Sequence, residues 1–135
     1  MKQYSLSELC AEIQEVVEND LLERYWVRAE IASLSARGHC YMELVQKDSH
    51  KNGIIAKARA QVWANRWAFI KPMFEDMTHQ SLAAGMQVLV KAEITFHELY
   101  GYSLNITDID PTYTLGDIAK RRQEILHQLT QEGIS

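Results

Sequence analysis

The stretch "GHCYMELVQKDSHKNGIIAKARAQVW", Gly38 to Trp63, decides the fold. On either side of the polar run "KDSHKNG" the apolar residues recur at every second position, the period of a strand with one buried face. Cys40, Met42 and Leu44 share one phase before the turn, and Ile54, Ala56, Ala58, Ala60 and Val62 share one phase after it. A hairpin with these residues pointing inward is expected. His39, Tyr41, Lys57, Arg59 and Trp63 then share the outward face, because successive side chains of a strand point to opposite sides.

Outside the hairpin the period changes twice. Towards the amino end, Ser5 stands three residues before Glu8, the capping-box spacing in which each side chain satisfies the other residue's free backbone N–H. Leu6, Leu9, Cys10, Ile13, Val16 and Val17 follow at helical spacing, so a helix that packs by this stripe is expected. From Tyr25 the period is two, with Val27, Ala29 and Ile31 inward and Trp26, Arg28 and Glu30 outward. Beyond the hairpin, residues 64–85 read as a helical connection that Pro72 should kink or restart, since proline donates no backbone hydrogen bond. Met86, Val88, Val90, Ala92, Ile94 and Phe96 define a fourth strand. A turn at "HELYG" leads to a fifth, with Tyr102, Leu104 and Ile106 on one phase. After Pro111 the helical period returns through Leu115, Ile118, Ile125, Leu126 and Leu129.

Three strands, a helix and two strands fit a mainly β fold with flanking helices: a five-stranded OB-fold Greek-key barrel with helices at both ends of the chain and one between strands three and four. The length of 135 residues suits one core. The expected division is an OB-fold unit over 1–112 and a C-terminal helix over 113–135.

The composition bounds the partners. Hydrophobic content of 47% and charged content of 24% are those of a soluble globular chain. No run approaches the roughly 20 apolar residues that cross a bilayer, and the amino end lacks signal-peptide zones, so a cytoplasmic protein with no membrane partner is expected. The two cysteines, Cys10 and Cys40, have neither CxxC spacing nor a disulfide framework and read as buried thiols. A net charge of −4 argues against a polyanion only if it is evenly spread. It is not: residues 1–23 hold six carboxylates against Lys2, whereas residues 47–71 hold six cations against Asp48.

In OB-folds the outer face of strands two and three, flanked by the loops after strands one and four, binds oligonucleotides or oligosaccharides. Rings interleaved with cations suit single strands, whose bases stack on the rings while Lys and Arg follow the phosphates. The candidate contacts are Arg28, His39, Tyr41 and Lys57, together with Arg59, Trp63, Arg66 and Tyr100. Two readings compete. One is a protein-docking module using Trp63, Trp67, Phe69 and Met73; the other is an anticodon-type RNA module using the same face.

"YSLSEL", "WVRAEIASLSARGHCYMELVQKD", "AQVWANR", "GMQVLVKAEITFHELYGYSLNITDIDP" and the closing "LTQEGI" resemble the amino-terminal domain of the bacterial exodeoxyribonuclease VII large subunit. The likeness is carried above all by Glu30-Ile31, Gly38-His39, Tyr41 and the segment from Gly85 to Val90. It implies a domain that holds single-stranded DNA for degradation to acid-insoluble oligonucleotides. It also implies a catalytic region beyond residue 135, and a small subunit recruited through that missing part.

No catalysis by these residues is expected, and no cofactor. The five histidines lack zinc-ligand spacing, and no glycine loop cradles a phosphate. Asp108 and Asp110, two apart at a strand exit, read as turn formers rather than a metal pair.

Overall fold

The computed structural model describes residues 1–133. Its order is α1 (Leu6–Asp20), β1 (Tyr25–Arg37), β2 (His39–Lys47), β3 (Ile54–Val62), α2 (Ala64–Thr78), β4 (Gln87–His97), β5 (Gly101–Ile109) and α3 (Pro111–Gln131). The strands close into a barrel in the order β1-β2-β3-β5-β4, which is the five-stranded OB-fold topology expected. Long β1 makes closure possible. Its first half pairs with β4, from Tyr25 opposite Ala92 to Glu30 opposite Gln87, and its second half pairs with β2. The irregularity between Ile31 and Ser33 is where it changes partner face. β3 and β5 meet in parallel at Ala60 and Leu104, after the chain has crossed over through α2.

The core follows the sequence phases closely. Ile31, Cys40, Met42, Leu44, Ala60, Val62, Val88, Val90, Ala92 and Ile106 are buried together. α2 drives Trp67, Ile70 and Phe74 into one end of this barrel. Burying a side chain the size of Phe74 contributes about 1.5–3 kcal/mol.

At five places the structure corrects or narrows the sequence expectation. Pro72 does not restart α2, which is one helix from Ala64 to Thr78. Pro72 and Ala68 are both exposed, so water can take the carbonyl bond that proline leaves unmade. Ile54 and Ala56 are exposed rather than inward, because only β2 pairs with the outer part of β3; the β5 ladder starts at Ala60. Tyr102 leaves the core for the same reason, and its hydroxyl donates to the Lys57 carbonyl at 3.3 Å. α1 has its capping box, with Ser5 Oγ accepting from the Glu8 N–H at 3.1 Å and Glu8 Oε1 from the Ser5 N–H at 2.9 Å. Yet only Val17 of its apolar stripe is buried, and Leu6, Leu9, Ile13 and Val16 are exposed. α3 likewise buries Pro111 and Thr114 in its first turn and leaves Ile125, Leu126 and Leu129 exposed. Among the described residues no helix is long and apolar enough to cross a membrane.

Candidate nucleic-acid interface

The floor of the site is the outer face of β2 and β3. Gly38, at φ +78°, makes the tight link that turns β1 into β2, and Arg37 pairs directly with His39 across it. Tyr41 then lies opposite Gln61, Glu43 opposite Arg59, and Val45 opposite Lys57. Tyr41 is half-exposed, as the outward phase requires.

One end of this floor is set by the start of α2. Trp63 occupies the N-cap and has no side-chain acceptor to offer the helix. His39 supplies one from the neighbouring strand, its Nδ1 accepting the Ala64 N–H at 2.8 Å. That bond holds the imidazole edge-on to Trp63, with centroids 5.1 Å apart, and to Tyr41, at 6.3 Å. His39 is thus a support for two neighbouring rings, with one nitrogen already committed.

The wall is the β4–β5 hairpin. His97 pairs with Gly101, whose φ of +78° closes the three-residue loop in the left-handed conformation that suits glycine. The loop stacks Tyr100 on His97 at 4.8 Å and brings the ring under the Arg59 guanidinium, 5.7 Å from its centroid. Tyr41, Arg59, Gln61, Trp63, His97 and Tyr100 therefore line one cleft of about 490 Å³, with Thr95 and Ser103 joined by a 2.8 Å hydroxyl bond at its side.

The electrostatics are less generous than the sequence. Lys57 is held by Glu43 at 3.3 Å, Lys47 by Glu30 at 3.0 Å and Lys71 by Glu75 at 2.8 Å. Glu43 pairs with Lys57 although Arg59 is its direct cross-strand neighbour, and this leaves Arg59 free to lie over Tyr100. Of the six cations between residues 47 and 71, Lys51, Arg59 and Arg66 make no ion pair among the described residues. Only Arg59 of these three lines the cleft.

Of the expected contacts, Tyr41, Arg59, Trp63 and Tyr100 are brought together in the cleft. His39 stands behind them, and Lys57 lies in the adjoining groove with Arg59 and Tyr100. Arg28 is on the outer side of β1 and Arg66 on the first turn of α2, so neither lines the cleft. Sequence reasoning missed His97 and Gln61. Both follow from the outward phase of their strands, His97 with Thr95 on β4 and Gln61 with Arg59 on β3.

The proposed apolar docking stripe is divided, since Trp67 is buried in the barrel end while Phe69 is exposed and does not help to cover it. Asp110 caps α3, accepting from the Thr112 N–H at 2.9 Å and its hydroxyl at 2.6 Å, and Asp108 accepts from the Ile109 N–H at 2.8 Å. Among the described residues no three His, Cys, Asp or Glu side chains are gathered as a metal site.

A barrel of this topology with this cleft defines an OB-fold protein, and the chain belongs to the family described as OB-fold nucleic acid binding domain, which matches residues 4–110. It is similar, over nearly its whole length, to part of the exodeoxyribonuclease 7 large subunit of three bacteria. The protein of Deinococcus radiodurans is 40% identical over 132 residues, covering 95% of this chain and 32% of that protein. Those of Halalkalibacterium halodurans and Vibrio parahaemolyticus are 30% and 32% identical, covering 96% and 97% of this chain and 26% of each relative. The chain thus spans between a quarter and a third of the length of the curated relatives it matches.

Proposed function

We propose that this chain is the part of an exodeoxyribonuclease VII large subunit that holds single-stranded DNA in the cleft between β2–β3 and the β4–β5 hairpin. The observation that carries the reading is the convergence of Tyr41, Trp63 and Tyr100 on one cleft around Arg59. Tyr41 and Trp63 are partly exposed rings steadied by His39, on which unpaired bases can stack, while Tyr100, stacked on His97, holds the Arg59 guanidinium where it meets the phosphates. DNA, rather than RNA, is the substrate class because the relatives are named as exodeoxyribonucleases.

In this reading the domain positions the strand, and cleavage to acid-insoluble oligonucleotides belongs to a region of the subunit outside these residues. The small subunit is likewise engaged outside them, and the assembly works in the cytoplasm. A titration of a labelled oligothymidine over rising salt tests the reading. Affinity should fall steeply with salt and unlabelled DNA should compete better than RNA of the same sequence, whereas affinity indifferent to salt would mean that phosphates are not contacted. The probe should also stay intact in magnesium, manganese or chelator.

A further inference from the structure

The cleft does not end at Tyr100. Past Arg59 it opens into a groove of about 390 Å³ where Lys57 and Tyr102 stand together. These two residues also rim a shallow hollow of about 130 Å³, floored by Leu44, Ala58 and Leu104 at the barrel end away from α2, and Arg28 stands on its rim. Beyond Arg28, on the outer side of β1, is a hollow of about 700 Å³ lined by Trp26, Lys47 and Tyr113. The four depressions are linked in series: Arg59 and Tyr100 are common to the first two, Lys57 and Tyr102 to the next two, and Arg28 to the last two.

We infer that a single strand of nucleic acid follows this series across the barrel mouth and ends with a base on Trp26, a second aromatic anchor remote from the cleft. The inference rests on the reading that the cleft binds a single strand, and it extends that site rather than replacing it.

Three observations support it. Trp26 is 50% exposed on the outward phase of β1, while Val27, Ala29 and Ile31 supply its inward phase, so its ring is not needed by the core. Lys91, its direct partner on β4, places its ammonium 5.9 Å from the ring centroid, and Arg28 follows two residues along the same face. Neither Lys91 nor Arg28 makes an ion pair among the described residues, so both are open to phosphate. Glu30, a carboxylate lining the hollow, is occupied by Lys47 at 3.0 Å and by the Gln87 amide at 3.2 Å, and Asp108, opposite Lys91 on β5, makes no ion pair with it. Glu43, which lines the middle groove, is likewise paired with Lys57, so the unpaired charge lining the route, Arg59 and Arg28, is positive. OB folds cover about 4–16 nucleotides each, and a strand that reaches Trp26 must be longer than one that fills the cleft alone.

The test is a length series of labelled oligothymidines from about 4 to 16 nucleotides, the span of known site sizes, titrated at one low salt concentration. Affinity should rise in two steps, the second when the strand becomes long enough to reach Trp26. Trp26→Ala should lower affinity for the longest probe about 5- to 150-fold, the range for one lost stack, and leave the shortest binding probe unchanged. Trp26→Phe should retain most of the second step. Arg28→Ala should reduce the salt slope for long probes only. A single step, or a Trp26→Ala variant that binds long and short probes as the parent does, overturns the extended path while leaving the cleft intact. A Trp26→Ala variant equally weakened for all lengths overturns it too, since Trp26 would then belong to the primary contact. Failure of every probe to bind removes the cleft reading itself.

Discussion

The two halves of the β2–β3 hairpin carry the same signature in the sequence, cations alternating with small apolar residues, and the structure gives them opposite fates. In the inner half, Ala60 pairs with β5 as well as β2, the inward residues are buried, and Arg59 is turned towards Tyr100. In the outer half, β3 has no strand beyond it, since the β5 ladder covers only Ala60 and Gln61. Ile54 and Ile55 are exposed there, and Lys57 and Lys47 are held by Glu43 and Glu30. A charge is available to a ligand only where no carboxylate of the same protein has claimed it first. Counting cations along the strand cannot distinguish the two halves, because the partners come from the strand opposite or the strand beyond.

Four substitutions would break or sharpen this contrast. The largest effect is expected at the ring on the cleft floor: Tyr41→Ala should weaken oligothymidine binding by about 1–3 kcal/mol, measured by anisotropy, with the melting temperature little changed. Arg59→Ala comes next and should lower the slope of log affinity against log salt by about 0.7, the value for one phosphate contact on a single strand. The same change at Lys57 should move the slope by clearly less, because a phosphate must displace Glu43 to reach that ammonium. If Lys57→Ala and Arg59→Ala proved equal, the contrast between the halves would be gone. The smallest effect is a gain. Glu43→Gln releases Lys57 and should tighten binding by roughly 0.2–1 kcal/mol, the usual scale of an exposed ion pair.

A fifth expectation concerns the barrel beneath Tyr41. Burial pushes the Cys40 thiol from its usual value near 9 up to about 11. The unfolded chain therefore loses this proton first as the solution turns alkaline, and stability should decline between about pH 9 and pH 11. Cys40→Ala should flatten that decline in urea melts at several alkaline pH values. An equal decline in the variant would assign it to other groups.

Much of this is legible in the amino-acid sequence. Period-two alternation gave the inward residues of β2 and β4, and the outward placement of Tyr41 and Arg59 followed from it. The capping box at Ser5 and Glu8 was equally local, since both partners lie within one turn. What failed was not local. The apolar spacing of α1 is regular, yet how much of it is covered depends on what the barrel presents to it, and only Val17 is buried. Tyr102 shares the phase of Leu104 and Ile106 but lies where the β3–β5 ladder has already ended. His39 is exposed on the outward face as its phase requires, but its second role as a cap was not legible, because it depends on α2 beginning with a tryptophan that cannot cap itself.

The central claim is that bases stack on the rings of this cleft, beyond any general attraction of DNA to positive charge. Its most direct measurement is anisotropy with a single-stranded probe and a blunt duplex of equal length, at one low salt concentration, for the parent chain and Tyr41→Ala. Duplex bases are already stacked and cannot reach the ring. The single strand should bind more tightly than the duplex, and Tyr41→Ala should narrow that difference by weakening the single strand alone. Equal affinity for the two probes, or a Tyr41→Ala variant that preserves their full difference, would contradict the account.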